Sequence, residues 1–347
     1  MVIAQCSSMS RSLASVLGIL WVAGAALRCT SSDGTSSDGA ITLAAGQHPG
    51  AIAVDATNVY WTNTTEGTVV KCAVAGCGGA PTILASGQSG LGAIATDGTS
   101  VYWTNGSDGT VMRCAVGGCG GNPTLLASGQ QSPGEIAVDA TSVYWTNGGT
   151  PQNSPTPTSD GTVMKCARDG GIPTLLASGQ TRPRGIAVDA ANVYWSADKT
   201  VMKVPVGGGA PTMLASASGQ AILSIAVDAT NVYWTEYVNG GNVVPPQHGD
   251  TVMKLPIGGG DPITIASGQA APTGLIVDGT SVYWANNGGT ITKCAIGGCG
   301  ENATTLASPS AAGPALSSAI AVDATSVYWT ERLLTDATGE VMKMTPK

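Results

Sequence analysis

The stretch Ile136-Ala137-Val138-Asp139-Ala140-Thr141-Ser142-Val143-Tyr144-Trp145-Thr146 holds two short apolar runs around a polar turn. Each run is too short for a helix and rich in β-branched or aromatic residues, so both read as strands. Thr162-Val163-Met164-Lys165-Cys166 supplies a third strand, and Pro173-Thr174-Leu175-Leu176-Ala177-Ser178 a fourth. The Val-Tyr-Trp block recurs seven times, ending at Trp61, Trp103, Trp145, Trp195, Trp234, Trp284 and Trp329. An Asp stands six residues before each of these tryptophans: Asp55, Asp97, Asp139, Asp189, Asp228, Asp278 and Asp323.

Four short strands repeated every 39 to 50 residues make the unit of a radial β architecture, the blade of a propeller. The last repeat stops after its third strand, Val341-Met342-Lys343-Met344. The missing fourth appears at the other end of the chain, as Ile41-Thr42-Leu43-Ala44-Ala45-Gly46-Gln47. The expectation is an all-β, seven-bladed β-propeller of four-stranded blades over residues 41–347. The N-terminal strand completes the last blade and closes the ring. Closure removes long unpaired strand edges, which invite aggregation.

The repeat resembles the YWTD and NHL-like propeller repeats, on Tyr60-Trp61-Thr62-Asn63, Tyr102-Trp103-Thr104-Asn105 and Tyr144-Trp145-Thr146-Asn147. It is more similar still to exported bacterial lipoproteins with VYWT and GG-x-PT-LA strings. YWTD propellers have six blades and this chain counts seven. The resemblance implies a propeller and says little of function, because propellers host many.

Composition bounds what the chain can do. The net charge is −7, and charged residues make up 11% of the sequence. That argues against a nucleic-acid partner, which needs clustered basic charge. Residues 1–28 read as a signal peptide. Arg11 precedes an apolar run over residues 13–27, short for a membrane span. The start is either Met1 or Met9. A Ser/Asp/Gly tether over residues 29–40 follows. Two exits stay open: lipidation of Cys29, or cleavage near residues 23–26 and release. Either way the chain is exported, to the cell envelope or beyond, and touches a membrane only through that lipid.

The repeated residues read as scaffold. Each Asp opens a turn whose backbone N–H groups its carboxylate can accept. Tyr and Trp fill the wedges between blades. Seven third-strand bases, Lys71, Arg113, Lys165, Lys203, Lys254, Lys293 and Lys343, either pair with the aspartates or are solvated. Cys72/Cys77, Cys114/Cys119 and Cys294/Cys299 are C-x4-C pairs at one repeat position. Where the first Cys is missing so is the second, as at Val204 with Gly209, so the pair members act on each other. Disulfides are the expectation in an exported chain, with zinc as the rival. Cys166 faces Gly171 and is left free or paired with another odd thiol.

Function is expected where the repeat breaks. The loops between second and third strands, and those into the next blade, vary in length and emerge on one face. Their unrepeated residues are the candidate ligand-binding set: Glu135, Arg182, Arg184, Glu236, Tyr237, His248, Glu331 and Arg332. No Ser/His/Asp spacing, HExxH or phosphate loop is visible, so neither a metal nor a cofactor is assigned. The reading is a monomeric, non-enzymatic binding or scaffold module for a protein, peptide or glycan at the cell surface. The alternative is a propeller lyase or hydrolase with a metal or His at the channel mouth, where His48 or His248 would act.

Overall fold

In a computed structural model, residues 39–149, 159–219, 221–237, 250–309, 315–333 and 338–347 are described. They form seven antiparallel sheets of four strands each, and no helix. Blade 3 is representative, with strands Pro133–Val138, Ser142–Asn147, Gly161–Ala167 and Thr174–Gln180 from the axis outward. The first strands of blades 1 to 7 begin at Pro49, Leu91, Pro133, Pro183, Ala221, Pro272 and Ala315. In blade 7 the outermost strand is Ile41–Gln47, paired antiparallel with Gly339–Met344 from Ile41↔Lys343 to Gln47↔Gly339. The ring therefore closes as the repeat predicts.

The cores lie between blades. Strand alternation sends Tyr and Trp of one block to opposite faces. Tyr144 of blade 3 shares a core with Trp195 of blade 4. Tyr60 shares one with Trp103, and across the closure Tyr328 shares one with Trp61. All seven tryptophans of the repeat are among the largest fully buried side chains.

Buried indoles need acceptors. Trp145 Nε1 donates to Gln130 Oε1 at 3.0 Å, and Asn147 Nδ2 donates to the same oxygen at 2.9 Å. Gln130 comes from the Ser-Gly-Gln that ends the previous repeat, so the bond ties consecutive blades together. Trp103 and Trp195 use Gln88 and Gln180 in the same way.

The aspartates fill the turn role. Asp139 Oδ1 accepts from Thr141 N at 2.7 Å and Ser142 N at 2.8 Å. Its other oxygen accepts the Tyr144 hydroxyl at 2.7 Å. Among the described residues the third-strand bases do not pair with the turn aspartates. Each donates to a backbone carbonyl of the following blade: Lys71 to Val116, Arg113 to Arg168, Lys165 to Val206, Lys203 to Ile257. Lys254, Lys293 and Lys343 continue to Ile296, Lys347 and Val74, which completes a circle of seven bonds. Two other bases do reach turn aspartates, Arg168 to Asp97 and Lys347 to Asp278.

Three disulfides form, Cys72–Cys77, Cys114–Cys119 and Cys294–Cys299, each across a sequence separation of 5. Their turns lie against the outer strand of the preceding blade. Cys119 Sγ sits 3.4 Å from Leu84 O, and Cys299 N donates to Ile265 O at 2.9 Å. The clips thus cover part of strand edges that would otherwise stand open. Cys166 is a buried free thiol, and burial raises its pKa. Loops this short give each disulfide about 2 kcal/mol in the chain-entropy account. Thermal melts with and without reductant are expected to show a lower Tm on reduction, with native β-sheet circular dichroism kept below the transition. Identical melts would contradict this.

Candidate functional site

The seven innermost strands line an axial channel with a cavity of about 510 Å³. Each carries a one-residue register shift against the second strand, as between Pro133 and Ile136 or Pro183 and Ile186. A bulge of this kind re-aims side chains. The residue just before the repeated Ile or Leu of each strand lines the channel: Ala51, Ala93, Glu135, Gly185, Ser224, Gly274 and Ala319. Six of these seven are Gly, Ala or Ser. Glu135 is the exception, and one position earlier Arg184 is the charged residue where the other blades have Gly, Leu, Thr or Ser. Below the bulges, toward the Asp-turn face, Ile52, Ile94, Ile186, Ile225, Leu275 and Ile320 form an apolar ring.

In five of the seven blades a threonine of the second strand bonds to the backbone at a bulge. Thr104 Oγ1 accepts from Ala93 N at 3.1 Å and donates to Gly134 O of the next blade at 2.7 Å. Thr146 donates to Arg184 O at 3.1 Å, and Thr330 to Gly50 O at 2.9 Å. The two ionisable lining residues therefore sit on backbone fixed from the adjoining blade. The sequence signal for this was present in the Thr that follows Trp61, Trp103, Trp145, Trp234 and Trp329. Its partner was not visible, because the acceptor lies 30 or more residues away.

Glu135 makes no hydrogen bond or ion pair among the described residues. Its side chain is exposed to the channel, with the protein wall close around it. Partial desolvation by that wall raises its carboxyl pKa above the ordinary value, and the solvent exposure limits how far. Arg184 is half-buried. Burial lowers its pKa, as does the nearby charge of Arg182, while Asp198 works the other way. Arg182 lies at the channel rim in a left-handed backbone conformation, φ 46°, where blade 2 has Gly90. A non-glycine residue there costs of order 1 kcal/mol.

The remaining candidates are dispersed. Glu236 and Glu331 lie within second strands that extend past the usual end, Asn231–Tyr237 and Val327–Leu333, and both are buried. Glu236 takes the acceptor role that Gln plays elsewhere. It receives Trp234 Nε1 at 2.9 Å on one oxygen and Ser218 Oγ at 3.1 Å on the other. Tyr237, at the end of the same strand, is half-buried, and Arg332 is exposed. None of these four lines the channel. His48 pairs with Glu66 and is not among the residues lining the channel, and His248 lies outside the described residues. The channel thus brings together Glu135 and Arg184, with Arg182 at its edge. Among the described residues no group of three or more His, Cys, Asp or Glu is placed to hold a metal.

No protein-family model matches the chain, and a search of curated proteins finds no similar sequence. Solved structures are similar in fold. Virginiamycin B lyase from Staphylococcus aureus superposes with a TM-score of 0.65 at 12% identity, covering 87% of this chain and 97% of the lyase. A streptogramin B lyase gives 0.62 at 11% identity, covering 87% and 94%. A chain of a nidogen/laminin complex gives 0.52 at 18% identity, covering 70% and 90%. Identities this low establish that the chain shares a β-propeller fold with these proteins, and nothing of their chemistry.

Proposed function

We propose that the chain is an exported, non-enzymatic binding module. It engages a protein, peptide or glycan on the face where the channel opens beside Glu135 and Arg184. One observation carries the proposal. The repeat uses its Asp, Tyr, Trp, Thr and Lys residues on the scaffold, and two of the charged departures from it, Glu135 and Arg184, line the channel. The described strand ends on either side of residues 150–158, 238–249 and 334–337 open onto the same face, where the repeat breaks. Three disulfides support residence in an oxidising compartment. Lipidation of Cys29 would tether the module at the envelope, and intact-mass measurement of the mature protein tests that step.

The function is tested by probing peptide and glycan arrays with the mature protein and with an E135A/R184A double variant. The expected result is at least one ligand whose binding falls tenfold or more in the variant. Ligands bound equally by both proteins would remove the channel mouth as the site. The lyase reading has one supporting observation, the extent of the fold likeness to virginiamycin B lyase. A further arm incubates the protein with quinupristin, the compound present with a catalytically inactive variant of that lyase. Turnover of quinupristin would displace the binding-module proposal.

A further inference from the structure

We propose that the channel mouth is a subsite for a single primary ammonium group on an aliphatic stem, received by the Glu135 carboxylate. This rests on the binding-module reading and names the chemistry its ligand must carry.

Glu135 is the one acidic residue lining the cavity, and no described residue pairs with it. Its side chain is exposed to the cavity, where a ligand can reach it. A scaffold gains nothing from it, since blades 1, 2 and 7 place Ala51, Ala93 and Ala319 at the same position and close equally well. The neighbouring positions on either side, Ala93 and Gly185, are small and leave room beside the carboxylate. The cavity volume, about 510 Å³, is within the range of small-molecule sites.

Three features narrow the ligand. A divalent cation needs about six oxygen ligands, and one carboxylate with neutral neighbours does not supply them. An ammonium needs fewer: Glu135 neutralises it, and the Ser132 and Ser224 hydroxyls, which line the same cavity, offer further acceptors. The Ile and Leu ring directly below suits a short aliphatic stem, as on a lysine side chain or an alkylamine. Arg184, one blade on, is the other charged residue lining the cavity, and Arg182 adds positive charge at the rim. Together they disfavour a second positive charge on the ligand.

The test is an NMR titration of the full mature chain with n-butylamine at neutral pH, beside N-butylacetamide, which keeps the stem and lacks the charge. The amine is expected to shift resonances of Ile94 and Ile186 at millimolar concentrations, and the amide to bind at least tenfold more weakly. Glu135→Gln should lower amine affinity at least tenfold without lowering Tm. Glu135→Ala, which copies the residue found in three other blades, should do the same and guards against a folding defect in the first variant. The inference is overturned by equal binding of amine and amide, by unchanged amine affinity in both variants, or by no amine binding to the wild-type chain. If array ligands still depend on Glu135 and Arg184 while the amine fails, the ammonium assignment falls and the binding module stands. If neither array ligand nor amine binds, both fall.

Discussion

A chain shortened to begin at Pro49 is expected to lose the folded monomer altogether. The deletion removes Ile41–Gln47, the fourth strand of blade 7. It takes Leu43 and Ala44 out of the core that holds Trp61 of blade 1 and Tyr328 of blade 7. Burying a leucine is worth about 1.5–3 kcal/mol. Each ladder hydrogen bond adds about 1 kcal/mol, and the strand pairs over its whole length. Their sum is comparable to the 5–15 kcal/mol that holds a typical domain together. The deletion also bares the edge of Gly339–Met344, a template for pairing with other chains. Size-exclusion chromatography should show aggregates or oligomers, and denaturant titration should show no cooperative transition. Adding a peptide of residues 40–48 should restore monomer by strand addition. A truncated monomer melting at the wild-type Tm would show that the N-terminal strand does not close the ring.

Stability is expected to fall steeply on both sides of a window from about pH 4 to about pH 10, because of the Asp–Tyr pairs. At Asp55, Asp97, Asp139, Asp228, Asp278 and Asp323, burial alone would raise the carboxyl pKa. The hydrogen bonds from Tyr, Thr and backbone donors (and, at Asp278, Lys347) outweigh it, and the net pKa is lowered. A carboxyl depressed in the folded state contributes stability that is complete above its unfolded value near 4. That stability is lost as pH falls toward the folded value. The tyrosines move the other way. Burial, then the bond to Asp, raises the phenol pKa at all seven, to about 12 at Tyr102 and Tyr283. A phenol raised on folding contributes stability that is complete below about 10 and is lost as pH climbs through the folded value.

Six carboxylates at about 1 kcal/mol each correspond to a fall in Tm of roughly 10 °C or more in a domain of this size. Melts across pH should therefore trace a plateau with two falling limbs. Tyr144→Phe should cost about 1 kcal/mol at pH 7 and flatten the alkaline limb. A Tm that stays constant from pH 7 to pH 3 would remove the aspartates from this role.

Much of the architecture was legible because its causes are local or periodic. The Asp139 turn is closed by bonds to residues two, three and five positions on, so a short string of sequence contains the whole interaction. The Cys pairs close within a separation of 5, and joint loss elsewhere in the repeat revealed the partner. Ring closure could be read because a strand missing at one end reappeared at the other.

The bases show where such reading stops. Their register with the aspartates was visible, but Lys165 spends its charge on Val206 O, 41 residues away. Nothing in the repeat names an acceptor that exists only when two blades are packed. Glu236 shows it again. It stood out as an unrepeated acid beside a variable loop, yet its strand runs on far enough to bury it under Trp234.

By itself, then, the sequence determined seven blades, their order, the turn chemistry and which cysteines act together, since periodicity and short-range contacts suffice for each. Only the tertiary structure decided which departures from the repeat share one cavity. Glu135 and Arg184 are 49 positions apart in the chain. They meet because the bulges of adjacent first strands are pinned across the blade interface by Thr104 and Thr146. Packing between blades sets that alignment, and no single repeat contains it.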